Sequence, residues 1–202
     1  NGVSRVLVIK LGALGDFIQA LGPMAAIRRH HARDEITLLT TAPYVATAQS
    51  SGLFDQVATT ERLPWWRIGA WLGLRSWLRG QGFARVYDLQ TSDRSSALFR
   101  LMKSGAGPQW SGIAAGCSHP HANPDRDLMH TVDRQREQLA MAGIADVPPA
   151  DLSFLKADLA RFGLPSRYAL LVPGGSARRP EKRWPAERYG ALARAWLDRG
   201  IL

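Results

Sequence analysis

Val3-Ser-Arg-Val-Leu-Val-Ile-Lys-Leu-Gly-Ala-Leu-Gly-Asp16 is the stretch on which the reading of this chain turns. Val3 to Ile9 is a short apolar, β-branched run ending in Lys10, the pattern of a strand buried on both faces of a parallel sheet. Gly12 and Gly15 interrupt it, and helical spacing follows from Phe17 to Arg29 through Ile18, Leu21 and Ala25. A glycine-rich turn between strand and helix puts ligands at the carboxyl edge of a sheet. Asp16 falls in the first helical turn, and on spacing alone a cap that complements the helix dipole is the better reading than catalysis. A phosphate loop is the other option, but Gly12-x-x-Gly15 lacks the G-x-G-x-x-G spacing and a carboxylate there repels phosphate.

The same alternation continues outward. Strands are expected at Ile36 to Thr41, Val57 to Thr60 and Arg85 to Leu89, and helices around Tyr44 to Ser51 and from Arg94 to Met102. A loop-rich stretch precedes a helix from Thr131 to Ala142 that stops at Gly143. Strands alternating with helices imply an α/β doubly wound parallel sheet. Pro148 and Pro149 mark a break, and Lys156 to Phe162 reads as a connecting helix closed by Gly163. A new strand, Tyr168 to Val172, then leads into a helix from Pro185 to Arg199, with Ile201 and Leu202 opening another strand. One strand and one helix bury no core by themselves. The expected layout is a first domain over 1–150, a linker over 151–166 and the truncated start of a second domain over 167–202.

Composition narrows the partners. Lys and Arg number 26 against 17 Asp and Glu, a net charge of +9 that favours anionic partners without choosing among nucleic acid, phosphorylated substrates and acidic membrane surfaces. The lone Cys117 excludes an intramolecular disulfide and suits a reducing compartment. There is no apolar run of the roughly 20 residues that span a bilayer, and no signal-peptide pattern, so cytoplasmic residence is the expectation. His119-Pro-His121 has no acidic or cysteine partner at ligand spacing, and neither a metal nor a cofactor is expected.

Two further segments carry possible chemistry. Pro173-Gly-Gly-Ser-Ala-Arg-Arg-Pro-Glu-Lys-Arg-Trp-Pro185 has the glycines, hydroxyl and cations of a phosphate-binding loop, with a solvated basic loop as the plainer reading. Leu63 to Phe83 sets Trp65, Trp66, Trp71 and Trp77 among Arg67, Arg75 and Arg79, just after Arg62. Such a helix suits the interface of an anionic membrane, or packs on its own sheet with tryptophans as core; the two readings stand equal.

Taken in order, these segments resemble the lipopolysaccharide heptosyltransferases of glycosyltransferase family 9, inverting enzymes of the GT-B fold. The resemblance rests on Val6-Leu-Val-Ile-Lys10 with Leu14-Gly-Asp16, Leu21-Gly-Pro23, Tyr87-Asp-Leu-Gln90 with Arg94-Ser-Ser96, His130-Thr-Val-Asp-Arg134, Leu171-Val-Pro-Gly-Gly-Ser176 and Lys182-Arg-Trp-Pro185. It implies a Rossmann-like acceptor domain followed by the start of a Rossmann-like nucleotide domain. It implies that Asp16 is the general base and that Lys182 with Gly174, Gly175 and Ser176 holds the donor diphosphate, without a metal. Lys10, Gly15, Arg62, Arg67, Gln90 and Arg94 are the acceptor-side candidates. The partners implied are a nucleotide-sugar, ADP-heptose for the family, an anionic glycolipid acceptor and the anionic inner face of the bacterial inner membrane. The chain departs from the family at Gly12 and Ala13, where Ser or Thr is frequent, and the family's Asp-x-Gly-x-x-His donor motif lies beyond Leu202.

A second class of function is a non-catalytic module that binds a nucleotide-sugar or another anionic ligand on the same fold. Nucleic-acid binding is disfavoured, because the cations are dispersed among tryptophans and loops and no recognition helix appears.

Overall fold

The computed structural model describes residues 2–103, 105, 107–175 and 180–201. They form two compact units, 1–155 and 156–202.

The first unit is built on a six-stranded sheet: β1 (Arg5–Ile9), β2 (Glu35–Thr40), β3 (Gln56–Thr59), β4 (Arg85–Asp88), β5 (Gln109–Gly112) and β6 (His119–Pro120). Every neighbouring pair is parallel, and the order is β3-β2-β1-β4-β5-β6. The chain builds outward from β1 to β3, then returns to lay β4 on the other side of β1. The strand order therefore reverses between β1 and β4, the place where open α/β sheets bind ligands. The apolar run of β1 alternates between two cores. Val6 and Val8 pack with Ile36, Leu38 and Tyr87 under α1 (Leu14–Gln19), α2 (Leu21–His30), α3 (Val45–Ser50) and α6 (Thr131–Met141). Leu7 and Ile9 pack with Leu39, Val86 and Trp110 under α4 (Ile68–Gly80) and α5 (Asp93–Met102). A strand covered on both faces has no polar face to present, which is why β1 reads as continuous rather than alternating.

The expected helix from Phe17 to Arg29 is two helices, α1 and α2, divided at Ala20. Pro23 supplies the reason: a continuous helix would set its ring against the carbonyl of Gln19 and needs an N–H that proline lacks. Gly22 beside it lets the return segment cross, since a Cβ there would lie 2.2 Å from the Pro148 carbonyl oxygen. The loop-rich stretch before α6 contains β5 and β6. Gln-Trp-Ser-Gly has no β-branched residue, and Pro120 is tolerated because β6 is an edge strand. The expected helix over 63–83 is confined to α4, whose start follows a turn in which Arg67 N–H donates to the Pro64 carbonyl at 3.1 Å.

Among the described residues, the second unit holds short 3-10 turns at Ala160–Phe162 and Pro180–Lys182 and one helix, α7 (Ala186–Leu197). The connecting helix expected over 156–162 is only the first of these turns, because Asp158 Oδ1 takes the Ala160 N–H at 2.9 Å and diverts the backbone from a helical ladder. Tyr168 to Val172 forms no ladder: a parallel strand exists only against a neighbour, and no other strand of this unit lies among the described residues. Ile201 N–H donates to the Trp196 carbonyl at 3.0 Å, so it closes α7 instead of opening a strand, and Leu202 lies outside the described residues.

Candidate active site

The loops leaving β1, β2 and β4 meet at the carboxyl edge of the sheet and are fastened to one another. Lys10 folds inward, 3% exposed, and its Nζ donates to the Leu89 carbonyl at 3.1 Å. Burial pushes its pKa below the ordinary lysine value, Asp16 and Asp88 oppose that, and Arg134 adds to it. Leu11 N–H donates to Gln90 Oε1 at 2.8 Å, and Thr41 Oγ1 donates to the Leu11 carbonyl at 3.1 Å. Gly12 then turns the chain at φ +131, where a Cβ would sit 3.1 Å from the Tyr44 ring, and Tyr44 in turn stacks on Phe17 at 4.9 Å. Only glycine meets both demands.

This packing delivers Asp16. The N-cap of α1 is Ala13, with no side-chain cap, so Asp16 is not the cap that its spacing suggests; it is the third helical residue. Phe17 behind it is fully buried and anchors the turn. The Asp16 carboxylate is exposed and has no hydrogen-bond partner among the described residues, and a Cβ on Gly15 would meet nothing within 4 Å. A carboxylate beside open space at the switch point is free to accept a proton from a bound hydroxyl.

Asp88, the other carboxylate of this edge, is fully buried. Its Oδ1 accepts from the N–H groups of Gln90 at 3.0 Å and Thr91 at 2.9 Å, holding a turn in which Thr91 takes φ +45, an uncommon value for a β-branched residue. Burial raises its pKa to about 6, opposed first by the nearby Ser95 side chain and then by those two N–H groups. Asp88 thus builds the turn that aims Gln90 at Leu11. The same turn is braced from α6, where Gln135 Nε2 donates to the Leu89 carbonyl at 3.3 Å and Gln138 Nε2 to the Asp88 carbonyl at 2.9 Å. Neither glutamine stands out in sequence as part of a site; their only signal is polarity on the sheet-facing side of an amphipathic helix.

The arginines expected on the acceptor side divide. Arg94, in the first turn of α5, donates through Nη2 to the Glu61 carbonyl and to the Thr60 carbonyl at 3.4 Å, tying the loop after β3 to the site edge. Its pKa is lowered by burial first and by nearby Arg62 second, which brings those two cations together. Arg67 lies exposed just before α4. Lys10, Gly15, Asp16, Arg62, Gln90 and Arg94 thus share the edge, with Lys10 Nζ, Gln90 Oε1 and Arg94 Nη2 already engaged internally.

In the second unit, Gly174 and Gly175 are exposed, and the Gly175 carbonyl accepts from Arg183 Nη2 at 2.9 Å. Lys182 ends the turn Pro180–Lys182 and is exposed. Ser176, with Arg178 and Arg179, lies outside the described residues.

This architecture is similar to that of solved structures across nearly the whole chain. A glycosyltransferase family 9 protein of Veillonella parvula superposes with a TM-score of 0.74 at 21% identity, over 98% of this chain and 61% of that one. The E. coli heptosyltransferase WaaC with ADP-2-deoxy-2-fluoro heptose gives 0.68 at 21% identity, over 98% and 67%. E. coli ADP-heptose lipopolysaccharide heptosyltransferase II gives 0.67 at 18% identity, over 98% and 62%. The chain thus spans about three fifths to two thirds of their lengths. No curated protein matches it in sequence. Residues 71–202 match the sequence model of glycosyltransferase family 9 (heptosyltransferase), well over half of the chain, and the chain belongs to that family.

Proposed function

We propose that the full-length protein is an inverting glycosyltransferase that moves a heptose from ADP-heptose to the core of a lipopolysaccharide acceptor at the cytoplasmic face of the inner membrane. The observation that carries this reading is Asp16: an exposed carboxylate without a hydrogen-bond partner among the described residues, at the strand-order reversal of the sheet, where the neighbouring carboxylate Asp88 is buried. Two relatives in fold are heptosyltransferases, one of them holding ADP-2-deoxy-2-fluoro heptose, which supports the choice of donor.

In this reading Asp16 accepts the proton of the acceptor hydroxyl as its oxygen attacks the anomeric carbon from the face opposite the nucleotide. The bond to the diphosphate breaks through an oxocarbenium-like transition state, and the leaving oxygens gain negative charge. Lys182 and the N–H groups of the 174–176 loop stabilise that charge. Arg62 and Arg67, with Arg94 holding the loop beneath them, engage the anionic groups of the acceptor. Gln90 has its Oε1 committed to Leu11 and contributes only its amide N–H groups.

The test is Asp16→Asn in the full-length protein. Turnover is expected to fall by about a thousandfold, with ADP binding by calorimetry unchanged, because the substitution alters no packing contact. Unchanged turnover removes Asp16 from the mechanism. Nucleotide-sugar binding by the wild type with no transfer to any glycolipid acceptor identifies a binding module instead.

A further inference from the structure

We infer that the N-terminal end of α4, with the loop before it, is a docking surface for an anionic phospholipid membrane. The inference rests on the proposed glycolipid acceptor for its purpose, but on the geometry of α4 for its evidence.

The helix turns two unlike faces outward and inward. Leu74, Trp77 and Leu78 pack against the second core, and Trp71 folds back so that its Nε1 donates to the Pro64 carbonyl at 3.2 Å. Half of the tryptophans in this segment therefore serve as core or loop anchors. The other two do not. Trp65 is 82% exposed and Trp66 65%, their rings packed edge to face on each other at 5.8 Å, and Ile68 and Leu72 follow at 67% and 56%. Single exposed apolar side chains are ordinary, but four large ones within eight residues form a patch.

Spacing and charge say what covers it. Ile68, Leu72, Arg75 and Arg79 recur at helical intervals, so one outward stripe runs from apolar at the start of α4 to cationic further along. Arg79 is held by the Leu101 carbonyl at 2.8 Å and the Lys103 carbonyl at 3.1 Å, whereas Arg62, Arg67 and Arg75 are exposed around the apolar end. No acidic residue occurs between Glu61 and Asp88. A protein partner with an apolar face and a neutral or basic surround would gain nothing from that one-signed rim. A bilayer carrying anionic headgroups matches both parts, with tryptophan rings at the headgroup level and arginines beside the phosphates. At 13 residues α4 is far too short to span a membrane, so it lies on the surface. The loop of Trp65 and Trp66 leaves the carboxyl end of β3, the edge that carries Asp16, and docking there presents the site to a sugar anchored in the same leaflet.

Full-length protein mixed with vesicles of phosphatidylethanolamine and phosphatidylglycerol, or of phosphatidylcholine alone, provides the test by co-sedimentation. Binding is expected to the anionic vesicles only, and to weaken as salt is raised. The triple variant Trp65→Ser, Trp66→Ser, Leu72→Ser should lower partitioning by about tenfold or more, and Arg75→Gln by about fivefold. These side chains are exposed, and circular dichroism checks that the fold is retained. With a deacylated, water-soluble acceptor the triple variant should turn over as the wild type does, while with acceptor embedded in vesicles it should slow in step with its lost binding. Equal vesicle binding by wild type and triple variant overturns the inference, as does a concentration-dependent dimer that the triple variant abolishes. If no acceptor is glycosylated but vesicle binding and its loss persist, docking stands and the transferase reading fails.

Discussion

Replacing Asp88 by asparagine should change how stability depends on pH, and the structure sets both sign and size. The carboxyl is fully buried, its Oδ1 accepts two backbone N–H groups, and its Oδ2 has no partner among the described residues. Burial lifts its pKa from the usual 3.8 to about 6. Below about pH 4 both the folded and the unfolded chain hold this proton, and the group contributes no pH dependence. As pH rises, the unfolded chain releases the proton first and the folded chain only near pH 6, so folding loses stability across that window. At about 1.4 kcal/mol per pH unit, the displacement from 3.8 to about 6 corresponds to a loss of about 3 kcal/mol. Asparagine keeps an Oδ1 acceptor for Gln90 and Thr91 and does not titrate. Asp34 and Asp55, whose pKa values are lowered by hydrogen bonds, drive stability the opposite way but are present in both proteins and cancel in the difference. Urea denaturation of wild type and variant at pH values from about 4 to 7 should show the variant gaining about 3 kcal/mol relative to wild type over that range. A difference that stays flat with pH would mean that the Asp88 carboxyl is already ionised at low pH, and the account of it as a buried turn-builder would be wrong.

Gly22→Ala places a methyl 2.2 Å from the Pro148 carbonyl oxygen, a backbone atom that cannot swing aside, and should cost about 3 kcal/mol by urea denaturation; a loss within experimental error would show that the 147–150 segment does not cross α2 there. Gln90→Leu removes the acceptor of the Leu11 N–H and should cost about 2 kcal/mol. Native-state hydrogen exchange should show the Leu11 amide losing its protection, and an unchanged rate would refute the tether.

The doubly wound sheet was readable from sequence because β1, buried on both faces, leaves no room for polar residues, and a run such as Val6 to Ile9 has few other homes. Where reading failed, the determinant was non-local or weak. Dividing the expected 17–29 helix requires counting back from Pro23 to the carbonyl that its ring would meet. Trp110 in β5 is fully buried, yet its neighbours Gln109, Ser111 and Gly112 carry no strand preference, and only pairing with β4 makes them a strand. The four tryptophans of 63–83 are equivalent as letters. Their division between core and surface depends on where α4 starts, which the Pro64 turn sets.

The site was half readable for a similar reason. Asp16 and Asp88 are both aspartates near the end of a strand, and spacing alone makes helix capping the better case for the first. Environment separates them, as it separates paired carboxylates elsewhere. Asp88 is enclosed, committed through Oδ1, and titrates near pH 6; the Asp16 carboxylate is in the open, and no hydrogen bond engages it among the described residues. Lys10, Gln90 and Thr41 hold the surrounding loops through Leu89 and Leu11, so their polar atoms do structural service. The carboxylate that the edge keeps exposed and without a hydrogen bond among the described residues is that of Asp16. The two substitutions should therefore fail in different currencies: Asp88→Asn in the pH dependence of folding with the 88–92 turn retained, Asp16→Asn in turnover with folding retained. If Asp16→Asn changed stability as much as turnover, the first turn of α1 would need that carboxylate for itself, and the case for Asp16 as the base would collapse into the capping role first suggested by its spacing.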